Sequence, residues 1–384
     1  MMTKELIVLG STGSVGTQAL DVCEHLGMRV TGISGRRDVK GLEGQIRKYK
    51  PHYCAVADEK SAAELKIAVS DTDVKVISGE NASEILCEIA DCDTVLNSLS
   101  GIAGLRPTIA AVKSGKRLAL ANKESLVIYG SYVMNEAKKN NVQILPVDSE
   151  HSAIFQCLSG QKIKKLILTA SGGPFYGKGR EELEKITPAD ALSHPTWNMG
   201  NRITIDSSTM MNKGFEVIEA AHLFGVDVDD VEVTVHRESI IHSMVEYIDN
   251  AVIAQMSVPD MRLCVQYALT YPNRYESPIN ELNITGLSNL SFGKPDNENF
   301  PLLPLAYKAF KRGGITPAVM NGADEAAVAL FLEGKLSYLG ISEVVSAVTN
   351  EADNVLRPSL SDIEEADKWA RARVKELANN YRRL

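Results

Sequence analysis

Six cysteines in 384 residues, with no Cys-x-x-Cys pair and no Cys/His cluster, exclude a zinc knuckle and a disulfide framework. Cys23, Cys54, Cys87, Cys92, Cys157 and Cys264 read as reduced core residues. No apolar run approaches the roughly 20 residues that span a bilayer, and no tract is repetitive or of low complexity. Positive charge is also in deficit. Lys and Arg number 41 against 49 Asp and Glu, a net charge of −8 that repels a nucleic-acid backbone. Neither nucleic acid nor a membrane is an expected partner. Met1–Lys4 runs straight into an apolar strand without a signal-peptide pattern, so a cytoplasmic protein is expected.

What is present is ordinary globular usage, 44% hydrophobic and 23% charged, in a chain long enough for two or three domains. Over residues 1–148 short apolar runs alternate with segments of helical period, the pattern of an α/β fold built on a parallel sheet. Strands are predicted at Glu5–Leu9, Arg29–Ser34, Tyr53–Val56, Lys75–Ile77, Thr94–Asn97, Arg117–Leu120 and Gln143–Pro146. Residues 149–272 carry mixed strands and helices, with apolar stretches at Lys165–Thr169, Glu232–Val235 and Ala251–Met256, and read as a central α+β domain. Residues 273–304, rich in Pro, Asn and Gly, read as a linker, and residues 305–384 as a C-terminal helical bundle.

Three motifs carry chemistry. Gly10-Ser11-Thr12-Gly13-Ser14-Val15-Gly16 follows the first strand and opens a helical segment, where glycines let backbone N–H groups approach a pyrophosphate at a helix N-terminus. A tight βα turn without ligand is the alternative. At the end of the second strand Gly35-Arg36-Arg37 brings two arginines and no acid before Asp38, which favours NADP over NAD, unless the pair is simply solvated. Pro146-Val-Asp148-Ser149-Glu150-His151 stands at the C-terminal edge of the sheet. If strand geometry persists, Asp148 and Glu150 share a face, and their repulsion is relieved by Mg²⁺ or Mn²⁺. A solvated strand end is the competing reading.

The third motif runs from Ser207 to Glu216, a hydroxyl-rich turn expected to lead into a helix from Phe215 to Phe224. Hydroxyls, the Asn212 amide and the Lys213 ammonium suit a phosphate, and Glu216 could join the metal shell with Glu219 in support. An N-capped helix with acids in its first turn accounts for the same residues. Ser171-Gly-Gly-Pro174 and the stretch through His194-Pro-Thr-Trp197-Asn-Met199-Gly200 read as a lid, or Trp197 as plain core. His25, His52 and His222 look structural, while His236 and His242 flank a strand end.

Together with Ala121-Asn122-Lys123-Glu124-Ser-Leu126 and Ile241-His-Ser-Met244, these blocks resemble the 1-deoxy-D-xylulose 5-phosphate reductoisomerase family over essentially the whole chain. The resemblance implies a Rossmann-like nucleotide-binding domain, NADPH, and Mg²⁺ or Mn²⁺ held by Asp148, Glu150 and Glu216. It implies a phosphorylated deoxy-sugar substrate bound by Ser171, His194, Ser207, Asn212 and Lys213, with Lys123, Ser149, Glu150, Trp197 and Glu216 also contacting it. Lys123, Glu150, His151 and Trp197 are the implied catalytic set. Asn122, Glu124, Met199 and Gly200 join the glycine turn, Gly35, Arg36 and Arg37 as cofactor contacts. A homodimer is expected. The sequence departs from the family's commoner pattern at Arg237-Glu238, at Met256-Ser-Val-Pro259 and at Gly322-Ala-Asp324. An NADP-dependent dehydrogenase without a metal and a non-catalytic NADPH sensor are the rival readings.

Overall fold

A computed structural model describes residues 4–192 and 200–381, which fall into two compact units. The first takes the chain up to Ser125, then Ser131–Ser152 and Asp260–Asn280. Its short apolar runs become β1 (Glu5–Leu9), β2 (Arg29–Gly35), β3 (Tyr53–Val56), β4 (Lys75–Ser78), β5 (Thr94–Asn97), β6 (Arg117–Leu120) and β7 (Ile144–Pro146). They pair in parallel in the order β4-β3-β2-β1-β5-β6-β7, so the winding reverses beside β1. Leu6, Ile7, Val8 and Leu9 have no exposed surface, as a parallel strand covered on both faces requires.

Helix α1 (Ser14–Leu26) opens within the glycine motif itself, because Gly13 takes the N-cap position. It stops at Gly27, whose φ of 65° closes the helix as Gly27 N–H donates to the Glu24 carbonyl and Met28 N–H to that of Cys23. The helix Met261–Thr270 packs on α1 and brings the late segment into this unit. Two helices begin here and continue into the residues of the other unit, α2 (Glu124–Lys139) and α3 (Ser149–Cys157).

The second unit comprises Leu126–Gly130, Ala153–Pro259 and residues from Glu281 onward. Its sheet contains β8 (Ile163–Ala170), β9 (Val231–Val235), β10 (Ile241–Tyr247) and β11 (Val252–Met256), in the order β11-β10-β8-β9. β10 is antiparallel to β8 and β11, and β8 is parallel to β9. β10 is absent from the predicted strands because polar residues interrupt its apolar pattern. In place they are satisfied: His242 Nε2 lies 3.2 Å from the Ser257 carbonyl, and Thr169 N–H donates to Ser243 Oγ at 3.4 Å.

Helices α4 (Asn201–Ser208) and α5 (Met211–Phe224) come next, followed by α6 (Leu302–Arg312), α7 (Thr316–Leu332), α8 (Tyr338–Glu351) and α9 (Leu360–Leu377). The last four make up the stretch read as a C-terminal helical bundle, which begins at Leu302, within the residues read as linker. One core runs through the unit, with Phe215, Ile218, Leu302, Val319, Phe331 and Ile341 all buried. Gly322 sets how closely α7 meets α9, since a Cβ there would lie 2.8 Å from Asp367 Oδ1.

Candidate active site

In the first unit the glycine turn lies at the switch point between β1 and β5, where open α/β sheets receive ligands. Gly10 has a φ of 74°, and a Cβ on it would fall 2.8 Å from the Ser98 carbonyl oxygen just beyond β5. Gly16 is tighter, its Cβ position being 2.2 Å from the Gly10 oxygen. Ser11 is buried and spent on structure: its N–H donates to the Ser34 carbonyl and its hydroxyl to Gln45 Oε1 at 2.6 Å. Gly13 and Ser14 are exposed, Thr12 and Val15 half-buried, and no side chain caps α1. The first N–H groups of the helix therefore face outward as donors for an anion.

Gly35 is buried against Leu42, while Arg36 and Arg37 are exposed, and Arg37 Nε lies 3.4 Å from Asp58 Oδ1. Asn122 donates from its amide to the Leu99 and Gly101 carbonyls and to Glu124 Oε2. Glu124 Oε1 in turn accepts from Gly101 N–H. These two side chains brace the loop that follows β5, next to the glycine turn.

The expected strand through Asp148 and Glu150 is corrected: β7 ends at Pro146 and α3 begins at Ser149. Asp148 initiates that helix, its Oδ1 accepting from Ser149 N–H at 3.0 Å and its carbonyl from Ser152 N–H at 2.8 Å. A short polar residue before an acidic first turn competes successfully with strand continuation. Lys123, 6% exposed, places Nζ 2.5 Å from Asp148 Oδ2. His151 is fully buried with Nδ1 3.8 Å from the same oxygen, and Glu150 accepts from the Ser149 hydroxyl. Glu150 sits in the first turn of α3, where the helix dipole favours negative charge.

In the second unit Gly172 and Gly173 both take positive φ, and a Cβ on Gly173 would lie 2.9 Å from the Ser207 carbonyl oxygen. The Ser171 loop is thus seated directly on the C-terminal end of α4. The predicted hydroxyl-rich turn is a second correction: Ser207 and Ser208 are helical, and the break is at Met210, with a φ of 63°. α5 then starts at Met211 instead of Phe215, so Asn212 and Lys213 belong to its first turn. Asn212 donates to Glu216 Oε1 at 2.5 Å, and the Lys213 ammonium donates to Glu216 Oε2. Lys213, Glu216 and Glu219 are 4%, 1% and 0% exposed, and charges so deep persist only when paired.

Arg237 was legible only as a departure from the family pattern, yet its Nη1 donates to the Ser171 carbonyl at 3.1 Å and to that of Gly173 at 2.7 Å. A charged residue directly after a strand that ends beside a Gly-Gly loop is the signal that could have found it. The buried His236 ring anchors the same turn, accepting from Ile240 and Ile241 N–H and bonding the Ser291 carbonyl through Nδ1. No cysteine is set up as a nucleophile: burial pushes the Cys157 thiol up to about 11 and that of Cys264 to about 12. His194, Trp197 and Met199 lie outside the described residues, and Gly200 is the exposed N-cap of α4.

A parallel sheet with a glycine-cornered βα turn at its switch point, accompanied by a unit with buried carboxylates and a buried ammonium, defines a nucleotide-binding α/β enzyme. The family model for 1-deoxy-D-xylulose 5-phosphate reductoisomerase matches residues 6–130, and models for the C-terminal domains of the same family match residues 144–224 and 256–373. The 1-deoxy-D-xylulose 5-phosphate reductoisomerase of Ruminiclostridium cellulolyticum is 47% identical over 379 residues, covering 98% of this chain and 100% of that protein. The one from Desulfitobacterium hafniense is 49% identical over 383 residues, with coverages of 98% and 100%. Among solved structures, a DOX-P reductoisomerase in complex with NADPH, fosmidomycin and magnesium superposes with a TM-score of 0.93 at 36% identity, covering 97% of this chain and 99% of that one. The Zymomonas mobilis enzyme in complex with NADPH gives a TM-score of 0.91 at 39% identity, with coverages of 98% and 99%. The chain belongs to the 1-deoxy-D-xylulose 5-phosphate reductoisomerase family.

Proposed function

We propose that this protein converts 1-deoxy-D-xylulose 5-phosphate to 2-C-methyl-D-erythritol 4-phosphate, by skeletal rearrangement followed by reduction of the resulting aldehyde. NADPH supplies the hydride, and Mg²⁺ or Mn²⁺ supplies Lewis acidity for the rearrangement. Asp148, Glu150 and Glu216 would hold the ion. They offer oxygen donors alone, the set that hard divalent cations take. His151, beside Asp148, suits the supporting role that orients a ligand carboxylate.

The main-chain donors from Gly10 to Gly16 would bind the dinucleotide's pyrophosphate, with Thr12, Ser14 and Val15 at its surface. Arg36 and Arg37 would meet the 2′-phosphate, and Gly35, Asn122, Glu124, Met199 and Gly200 complete the cofactor contacts. Ser171, Ser207, Asn212, Lys213 and His194 would grip the substrate phosphate. Lys123, with Glu150, handles protons at the reacting oxygens, and Ser149 binds them. Trp197 would cover the site and exclude water.

The observation that carries the reading is the donor set at one end of the second unit. Gly173 seats the Ser171 loop on Ser207, and the helix that follows buries the Lys213 ammonium almost completely. Hydroxyls beside a desolvated ammonium form a cradle for a phosphate dianion. The test follows NADPH oxidation with deoxyxylulose phosphate, with Mn²⁺ and after EDTA. Turnover that needs metal is expected; undiminished turnover in EDTA points to a plain dehydrogenase.

No helix among the described residues is long and apolar enough to cross a membrane. A cytoplasmic location is part of the proposal. A homodimer fits the outer strand β11, where Val252 and Ile253 are 48% and 47% exposed. Light scattering on an Ile253→Glu variant checks that surface, a shift to monomer being the expected result.

A further inference from the structure

A second concentration of charge lies inside the second unit, where α4, which carries Ser207, meets two helices that the proposed chemistry does not use directly. α4 contributes Arg202 and Asp206, α7 contributes Asp324 and Glu325, and α9 contributes Asp367 and Arg371. Arg371 is committed to Asp367, at 2.6 and 3.0 Å, and to Glu325 Oε2 at 2.6 Å. Arg202 Nη1 lies 3.0 Å from Glu325 Oε1, while its Nε is 3.5 Å from Asp206 and its Nη2 3.9 Å from Asp324. Asn321 joins by accepting from Arg202 and donating to Glu325.

Among the described residues, four carboxyl groups thus face two guanidiniums. Full ionisation would leave a surplus of negative charge in a place where Asp206 and Asp367 are each 4% exposed and Asp324 is not exposed at all. Such a surplus is neutralised by proton uptake instead. The proton's location follows from the partners. Arg202 and Arg371 hold Glu325 below its ordinary range even though burial raises it, so Glu325 stays ionised. Burial raises the Asp367 carboxyl as well, but its two contacts with Arg371 favour the ionised form. Asp324 receives no N–H or O–H from any described residue, and its hydrogen-bonding neighbour is the carboxyl of Asp206. Burial first, and then the Asp206 charge, push the Asp324 carboxyl well above the carboxylate range.

We propose that Asp324 is a positioning residue: its carboxyl keeps a proton and donates it to Asp206, and this acid–carboxylate hydrogen bond ties α4 to α7 so that Ser207 is held for the substrate phosphate. The placement of Ser207 rests on the function proposed above. Its immediate neighbours make the link short. Asp206 precedes Ser207, the Ser208 carbonyl accepts from Tyr338 of α8 at 2.7 Å, and Gly173 presses on the Ser207 carbonyl. The end of α4 is therefore pinned by α7, α8 and the Ser171 loop together. Losing the α7 contact frees the turn that carries the hydroxyl.

The experiment compares Asp324→Ala and Asp324→Asn with the wild-type enzyme. Alanine removes the donor, whereas asparagine keeps the shape and donates permanently from its amide. Asp324→Ala should raise KM for the sugar phosphate by about tenfold, the effect of one buried hydrogen bond, and leave KM for NADPH within about twofold. Asp324→Asn should restore the substrate KM to within about twofold of wild type. A general loss of structure would instead lower kcat and weaken both substrates together.

Thermal midpoints give an arm independent of turnover. An acid whose folded pKa is raised contributes stability that is fully present below about 3.8 and is lost as pH rises through the folded value, so Asp324→Asn should gain on wild type as the pH is raised above 3.8. Unchanged substrate KM in Asp324→Ala, failure of asparagine to rescue it, or a midpoint difference that ignores pH each overturns the proposal. A wild-type enzyme that does not turn over the sugar phosphate sinks the functional reading instead, and the midpoints still decide the shared proton.

Discussion

At the turn from Gly10 to Gly16 the groups on offer are main-chain donors, and the arginines beside it are exposed. At the site from Ser171 to Glu216 they are side chains, and Lys213, Glu216 and Glu219 are each less than 5% exposed. The first arrangement depends on the absence of side chains, since a Cβ on Gly10 or Gly16 meets backbone oxygen. The second depends on charge balance among groups taken out of water. The two should therefore fail in different ways, one through added volume and the other through a single lost charge.

The sharpest break comes from Glu216→Gln, which keeps volume and removes charge. It leaves the buried Lys213 ammonium without its carboxylate and strips one proposed metal ligand. Turnover should fall by about a thousandfold or more, with NADPH affinity nearly unchanged. Steady-state rates beside a fluorescence titration of NADPH check both halves, and loss of nucleotide binding would erase the contrast between the sites. The converse is Gly16→Val. Its branched side chain must displace the Gly10 carbonyl, so NADPH affinity should drop by about a hundredfold while binding of inorganic phosphate at the second unit persists.

The same contrast explains what the sequence could disclose. Parallel strands are short apolar runs closed by turn residues, so β1 to β7 were predicted to within a residue, and the glycine turn is contiguous. Side-chain sites are not local. Arg237 grips a loop 66 residues away in sequence, and Arg202 reaches α7 across more than a hundred. Composition near either arginine carries no trace of its partner. β10 was hidden by His242 and Ser243, whose polarity is met by other strands. The start of α3 was hidden because Asp148 reads equally as a strand end or as a helix initiator until Ser149 N–H is seen to choose it.

A smaller effect tests the exposed side of the turn. Arg37 is 70% exposed and shares its guanidinium with Asp58 at 3.4 Å, and an exposed pair of this kind is worth little in water. Arg36→Ala with Arg37→Ala should therefore raise KM for NADPH by about tenfold and leave that for NADH unchanged, narrowing the discrimination between them. Equal losses with both nucleotides would move the 2′-phosphate contact elsewhere.

The smallest effect concerns pH, and it separates buried titratable groups from exposed ones. His222 packs against Phe310, with ring centroids 5.1 Å apart, and so close to Gly130 that a Cβ there would meet the imidazole at 2.3 Å. Burial pushes its pKa down from 6.5 to about 4. A base depressed in the folded state contributes stability that is present above pH 6.5 and is lost as pH falls through about 4, because the unfolded chain takes up the proton first. Replacing it by phenylalanine keeps an aromatic ring in the slot and removes the titration. Between pH 6.5 and pH 4 the wild-type midpoint should drop further than that of His222→Phe by about 4 °C, a shift on the scale of one buried group in a chain of this size. Parallel slopes for wild type and His222→Phe would place the acid sensitivity of the second unit in its carboxylates alone.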